Sequence, residues 1–242
     1  MKGNCLLGVT VSAVSIVIAG CSSPERSRMP ESRPGAEGGA GVGAGGAGAN
    51  LKGDGEFVRD MASKHMAEIE LSRMALARSS SAEVKVFAQS IIQDHDAAEA
   101  NLKSVVSSDA IAWPTQLDED ARETADELAK KQGPDFDRHY AKAMVEGHRN
   151  LAAKLESRLD LASLAEWKTA AAGRTQGKAM PDPKVVIADV RVRPNNSDND
   201  VTVKVNQWAA DTYPVAQKHL DTASALDNAM EKTVDQQKEK RQ

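Results

Sequence analysis

Apolar residues recur at alternating steps of four and three in four separate stretches of the chain. That spacing admits few architectures other than helices packed side by side. In the second stretch Val84, Ala88, Ile91, His95, Ala98, Leu102 and Val105 hold the pattern. In the last, Val201, Val205, Trp208, Thr212, Val215, His219, Thr222 and Leu226 hold it. Met61, His65, Ile69, Ser72 and Leu76 form the stripe of the first, and Tyr140, Met144, His148, Leu151 and Leu155 that of the third. Each stripe carries a histidine where an apolar residue is expected, so His65, His95, His148 and His219 are core positions. His139 falls off its stripe and belongs on the surface. Midpoints of helices of similar length packed up and down lie at similar depth, which gathers the four histidines into one layer. Imidazole serves a metal site, a proton-handling site or a hydrogen-bonded polar layer, and spacing does not choose among them.

The ends of the chain carry a different kind of information. Lys2, the apolar run Leu6 to Ile18 and the small residues before Cys21 make residues 1–20 an export signal, too short for a comfortable membrane span. The stretch resembles a bacterial lipoprotein signal, which implies that Cys21 receives the lipid and becomes the mature N-terminus. Ser22 in the next position implies an outer-membrane destination, with the protein lipid-anchored and facing the periplasm. The alternative is an ordinary secretory signal with an incidental cysteine. Cys5 and Cys21 are the two cysteines of the chain. The mature protein therefore forms no internal disulfide and has no thiol chemistry, and its stability must come from its core.

Residues 21–54 are rich in Ser, Pro, Gly and Ala and read as a flexible tether with a typical reach of about 30 Å. No strand precedes this glycine-rich run and no Gly-Lys-Ser/Thr closes it, which argues against a phosphate loop. The rest suits one all-α domain over 55–232, with a frayed charged tail at 233–242. A formal charge of −4, with basic and acidic residues interspersed and no basic face bearing aromatics, excludes nucleic acid as an expected partner.

Within the domain, helix 1 is expected over about 55–78 with Asp54 as its cap. Helix 2 follows over 82–107 behind Ser81, and the short connection makes the two antiparallel neighbours. Trp113-Pro114 interrupts the pattern. A short helix then starts at Thr115 or Asp118, ends near Gly133, and is long enough with its flanks to form a crossover along the bundle. Helix 3 is expected over 135–166 and helix 4 over 200–232, the latter kinked at Pro214. Residues 170–199 lose the helical period and read as an insertion. Alternation there and in Val201 to Val205 suggests a small hairpin across 194–200, whereas the phase of Val201 and Val205 favours helix from Asp200.

Phe57-Val58 opening the first helix, Val86-Phe87-Ala88-Gln89 with Ile92-Gln93-Asp94-His95 in the second, Phe136-Asp137, Tyr140, Met144-Val145 and His148 in the third, and Trp208-Ala209, Pro214 and His219-Leu220 in the fourth resemble a known family. It is the ferritin-like family of exported bacterial proteins of unknown function, whose members often carry an outer-membrane-protein label. The resemblance spans about Glu56 to Leu226. It implies a ferritin-like four-helix bundle in the cell envelope and brings no established activity. Gly147-His148 stands where the family pattern has Asp-His, which removes any aspartate role there.

A di-iron centre in such a bundle draws a carboxylate from each of two helices and a Glu-x-x-His pair from each of the others. Here His65-x-x-Glu68 has the order reversed, His95-x-x-x-Glu99 has a different spacing, and His148 and His219 lack a glutamate three residues before. A mononuclear transition-metal site built from His65, His95, His148 and His219 with Glu68 or Glu99 is compatible, and its ligand types suit zinc, copper, iron or nickel. The alternative is a polar core layer, each histidine bonded to a neighbour such as Tyr140 or Thr212. Asp94, adjacent to His95, reads as solvated. The methionines read as core filling, and no nucleophile motif is present. Three readings stand: a lipid-anchored envelope protein of structural or binding type with an envelope protein partner, a metal-binding or redox bundle, and a carrier of a small apolar ligand between the helices.

Overall fold

The computed structural model describes residues 45–106, 111–175 and 190–239. The expected signal at 1–20, the lipid site Cys21, most of the tether and the middle of the 170–199 insertion lie outside the described residues. Six helices and no sheet make up what is described: α1 (Gly45–Arg78), α2 (Ala82–Val105), α3 (Glu119–Ala129), α4 (Gly133–Glu156), α5 (Leu161–Thr175) and α6 (Asp200–Glu239). None of the described helices is long and apolar enough to cross a membrane.

Helices α1, α2, α4 and α6 pack around a shared core. One apolar cluster joins Phe57 and Met61 of α1, Leu102 of α2, Leu151 and Leu155 of α4, and Val205 and Trp208 of α6. A second joins Leu71 and Ala75, Val84 and Phe87, Phe136 and Tyr140, and Ala223 from the opposite ends of the same four helices. It follows that α1 and α6 run one way, and α2 and α4 the other. The connection from α2 to α4 therefore travels the length of the core, and α3 lies within it, packed on α1 and α4.

Several boundaries follow from local hydrogen bonds. Ser81 caps α2, its hydroxyl accepting from Val84 N at 3.3 Å, and Asp118 caps α3, accepting from Ala121 N at 2.9 Å. Gly133, at φ +56°, opens α4 in a backbone conformation that other residues adopt only under strain. Asn199 starts α6 by accepting from Val201 N and Thr202 N, both at 3.0 Å.

Other boundaries correct the sequence reading. Helix α1 begins at Gly45, upstream of the expected cap. Asp54 is instead buried, paired with Arg158 and accepting from Thr202 Oγ1 at 2.6 Å. The expected third helix is two: α4 ends at Glu156, and Asp160 starts α5 by accepting from Ser163 N at 2.9 Å. No hairpin spans 194–200 among the described residues. Pro194 makes an isolated bridge with Leu159, and Asn195 N donates to Arg158 O at 2.8 Å. Residues 193–195 thus pair with the α4–α5 turn, leaving Val201 and Val205 to the helix. Beyond Pro214 the inward positions of α6 are Ala216, His219 and Ala223, with Val215 exposed.

Candidate metal centre

Between the two apolar clusters lies a polar layer. His65, Glu68, His95, His148 and His219 are all at most 4% exposed, in a part of the core otherwise walled by aliphatic and aromatic side chains. The layer exists because the helical period returns one inward position to each helix at this depth, and in every case that position holds a histidine. Ring centroids of His65 and His95 are 4.6 Å apart, His95 and His148 5.5 Å, His148 and His219 5.3 Å, and His95 and His219 5.6 Å. Trp208 closes the layer on one side, its ring 5.9 Å from that of His65 and its indole N–H donating to Ala98 O at 2.9 Å.

Each of His95, His148 and His219 offers a ring nitrogen, and these three nitrogens all lie within 4.8 Å of one another, so the triad can hold a metal ion. His95 Nε2 and His148 Nε2 are 3.4 Å apart. Two nitrogens bound tetrahedrally at a zinc–nitrogen distance of about 2.0–2.1 Å are separated by roughly 3.3–3.4 Å. The outer nitrogens of two rings are already engaged. His148 Nδ1 lies 2.9 Å from Met144 O, and His219 Nε2 lies 2.9 Å from Asp94 Oδ2. Because a carbonyl and a carboxylate only accept, those nitrogens carry the protons, and the inward nitrogens, His148 Nε2 and His219 Nδ1, present lone pairs. His219 Nδ1 is buried with no hydrogen-bond partner.

Glu68 supplies the charge. Its Oε2 is 2.9 Å from His95 Nε2 and its Oε1 is 3.5 Å from His148 Nδ1, and neither contact has the alignment of a regular hydrogen bond. Burial opposes ionisation of this carboxyl, but the surrounding imidazoles, His148 and His95 foremost, outweigh it and hold the group down at about 2. Burial pushes His65 and His148 below the ordinary imidazole value and His219 down to about 4, with neighbouring imidazoles adding to the effect and Glu68 or Asp94 opposing it. The charge that holds Glu68 down is that of protonated imidazole, which burial disfavours at His65, His148 and His219, so carboxyl and rings take up and release protons as one coupled group.

Glu68 can sit here because residue 147 has no side chain. A Cβ at Gly147 would stand 2.6 Å from Glu68 Oε1. The absent side chain at residue 147 is thus the space that admits a carboxylate from the facing helix. His65 lies in the layer but outside the triad, and neither of its nitrogens has a hydrogen-bond partner. Glu99 does not join: it points away from the layer and pairs with Lys103. Asp94 is not merely solvated, since it holds His219. Nor do Tyr140 and Thr212 serve the histidines. Tyr140 Oη pairs with Ser72 Oγ at 2.8 Å, and Thr212 donates to Trp208 O at 2.8 Å. Among these buried groups Glu68 is the lone carboxylate, so the carboxylate-rich set of a di-iron centre is not assembled.

No curated protein and no solved structure matches the chain. A family model described as a domain of unknown function (DUF4142) matches residues 42–177, more than half of the 242 residues. His65, Glu68, His95, Gly147 and His148 fall inside the matched stretch, whereas His219 lies beyond it. The chain belongs to the family described as domain of unknown function DUF4142.

Proposed function

We propose that this protein is an exported, lipid-anchored component of the bacterial cell envelope whose ferritin-like four-helix bundle binds one transition-metal ion at its centre. The export signal and Cys21 support the anchor at the outer membrane, facing the periplasm, and the long connection between α2 and α4 supports the ferritin-like topology. One observation carries the metal reading. Three ring nitrogens of His95, His148 and His219 converge within 4.8 Å of one another in a buried layer, two of the rings have their other nitrogen held by an acceptor, and a buried carboxyl with no aligned hydrogen bond lies 2.9 Å from the third. In a low-dielectric core that arrangement is costly unless a cation completes it. His95, His148 and His219 are the nitrogen donors, and Glu68, outside that triad but 2.9 Å from His95 Nε2, would move in as the carboxylate. Imidazole-dominated donors suit zinc, copper, iron or nickel; the last three would add redox chemistry.

The 2.9 Å approach of Glu68 to His95 favours a second reading, in which a proton held between them replaces the metal and the layer is a polar core. The protein would then act through its surface, on an envelope partner or a small apolar ligand. Titration of chelator-treated protein with cobalt(II), followed by visible absorption, separates the two. The metal reading expects one equivalent in a nitrogen-rich, tetrahedral-type spectrum, lost in His148→Ala. Absence of any cobalt band in the folded protein would sink it.

A further inference from the structure

A buried metal site needs a path. The groove between α1, α3 and α4 holds a cavity of about 410 Å³, and Glu68 and Gly147 are both part of its lining. Glu68, with a side chain only 5% exposed, therefore reaches this cavity while both its oxygens lack hydrogen-bond partners. Its approach depends on the bare backbone of Gly147, where a Cβ would collide with Oε1. The mouth is lined by both signs of charge, but not evenly. Lys64, Lys131 and Lys142 are each paired with a carboxylate outside the lining, Asp60, Asp135 and Glu231, at 3.9, 3.7 and 3.3 Å. Asp120, Glu127 and Glu146 remain in the lining to set the sign of the mouth. A cleft of one sign raises the local concentration of the opposite ion.

A second cavity, of about 660 Å³, approaches the layer from the far side, between α2 and α6, and reaches His95 and Asp94. Alanines and valines, Val203 among them, alternate in that wall with polar residues. Its surface is mainly apolar although Asp94, Asn101, Gln207 and Asp211 also line it, whereas the α1–α3–α4 groove presents more polar surface and reaches Glu68.

We propose that the α1–α3–α4 groove is the port through which a divalent cation enters, with Glu68 as the first buried ligand it meets and Gly147 as the residue that keeps the port open. The inference rests on the metal-binding reading above. The cation exchanges water for carboxylate oxygen at Glu68, and the imidazoles then take it from the carboxylate side.

Stopped-flow uptake of cobalt(II) by the full chain, and its release to a chelator, tests this. Asn150 lines the groove one turn beyond Gly147 and is exposed, so Asn150→Trp obstructs the port without touching a ligand. Uptake and release should both slow by about tenfold or more, with the equilibrium affinity unchanged, because a path alters rates and not end states. Val203→Trp, at the mouth of the opposite cavity, should leave both rates as they were. A combined Asp120→Asn, Glu127→Gln, Glu146→Gln variant, which adds no bulk, should slow uptake at low ionic strength and match the parent at high salt. Parent-like rates in Asn150→Trp and in the triple variant, or slowing confined to Val203→Trp, would overturn the port. Failure of the parent protein to take up cobalt would instead overturn the metal reading itself, and the port with it.

Discussion

Replacing Gly147 by alanine should move stability and metal affinity in different ways, and the structure sets both magnitudes. A glycine-to-alanine change inside a helix contributes about 1 kcal/mol of stability through backbone entropy alone. Here the new Cβ would lie 2.6 Å from Glu68 Oε1. The far end of a flexible side chain can yield, so the carboxylate swings aside at an off-rotamer cost of about 0.5–1.5 kcal/mol. The two effects nearly offset, and the metal-free protein should stay within about 1 kcal/mol of the parent. The metal site does not share in that balance. Glu68 leaves its place 2.9 Å from His95 Nε2, and loss of an aligned ligand or its support lowers affinity by about 10–100-fold. Urea denaturation in chelator reads the first quantity, and competition titration with zinc(II) or cobalt(II) the second. A stabilised Gly147→Ala protein with parent-like affinity would refute the reasoning, because it would mean that the carboxylate is not a ligand.

Acid should weaken the metal-free protein. His65, His148 and His219 are held below the unfolded value of 6.5 mainly by burial, so below that pH the unfolded chain binds protons that the folded chain refuses. Their contribution is fully present above about pH 6.5 and is lost as pH falls towards 4. For His219, shifted from 6.5 to about 4, the loss is about 3 kcal/mol. Urea midpoints that stay level from pH 7.5 to 4.5 would contradict this. Asp94→Ala removes the acceptor that orients His219 while deleting a side chain 42% exposed. It should lower metal affinity about 10–100-fold and leave thermal stability nearly unchanged. Tyr140→Phe strands the buried Ser72 hydroxyl and should cost about 1–2 kcal/mol without altering metal affinity. Adding Ser72→Ala should recover part of that loss, as a double-mutant cycle would read directly.

The inward histidines were legible in the sequence because a period of 3.6 residues is a property of one helix, read from that helix alone. Their partners were not, because Asp94 reaches His219 and Glu68 reaches His95 across helices, and no spacing within a segment encodes such a contact. Asp94 is a sequence neighbour of His95 and faces elsewhere; only the position of α6 makes it useful to His219. Gly147 is a helix-interior glycine beside His148, and its meaning lay in the helix facing it. Glu99 had a workable spacing from His95, yet it is half-buried outside the histidine layer and pairs with Lys103. The break after Glu156 was visible as Asp160 three residues before Ser163, a cap pattern masked by the continuing apolar run. The helix from Asp200 was favoured over a hairpin by phase alone, and the structure supplies the deciding feature. Alternating valines at 201–205 satisfy both periods, and the cap at Asn199 decided for the helix.

The central claim is that the buried layer holds a metal, and the metal content of the protein as its host makes it tests that most directly. The protein, purified from its host without chelator, should carry close to one equivalent of a single transition metal by elemental analysis. A His95→Ala, His148→Ala variant with a parent-like helical spectrum should carry none. A folded parent protein that is metal-free, and stays so after exposure to zinc, copper, iron and nickel, would contradict the account and leave the layer as a proton-held polar core.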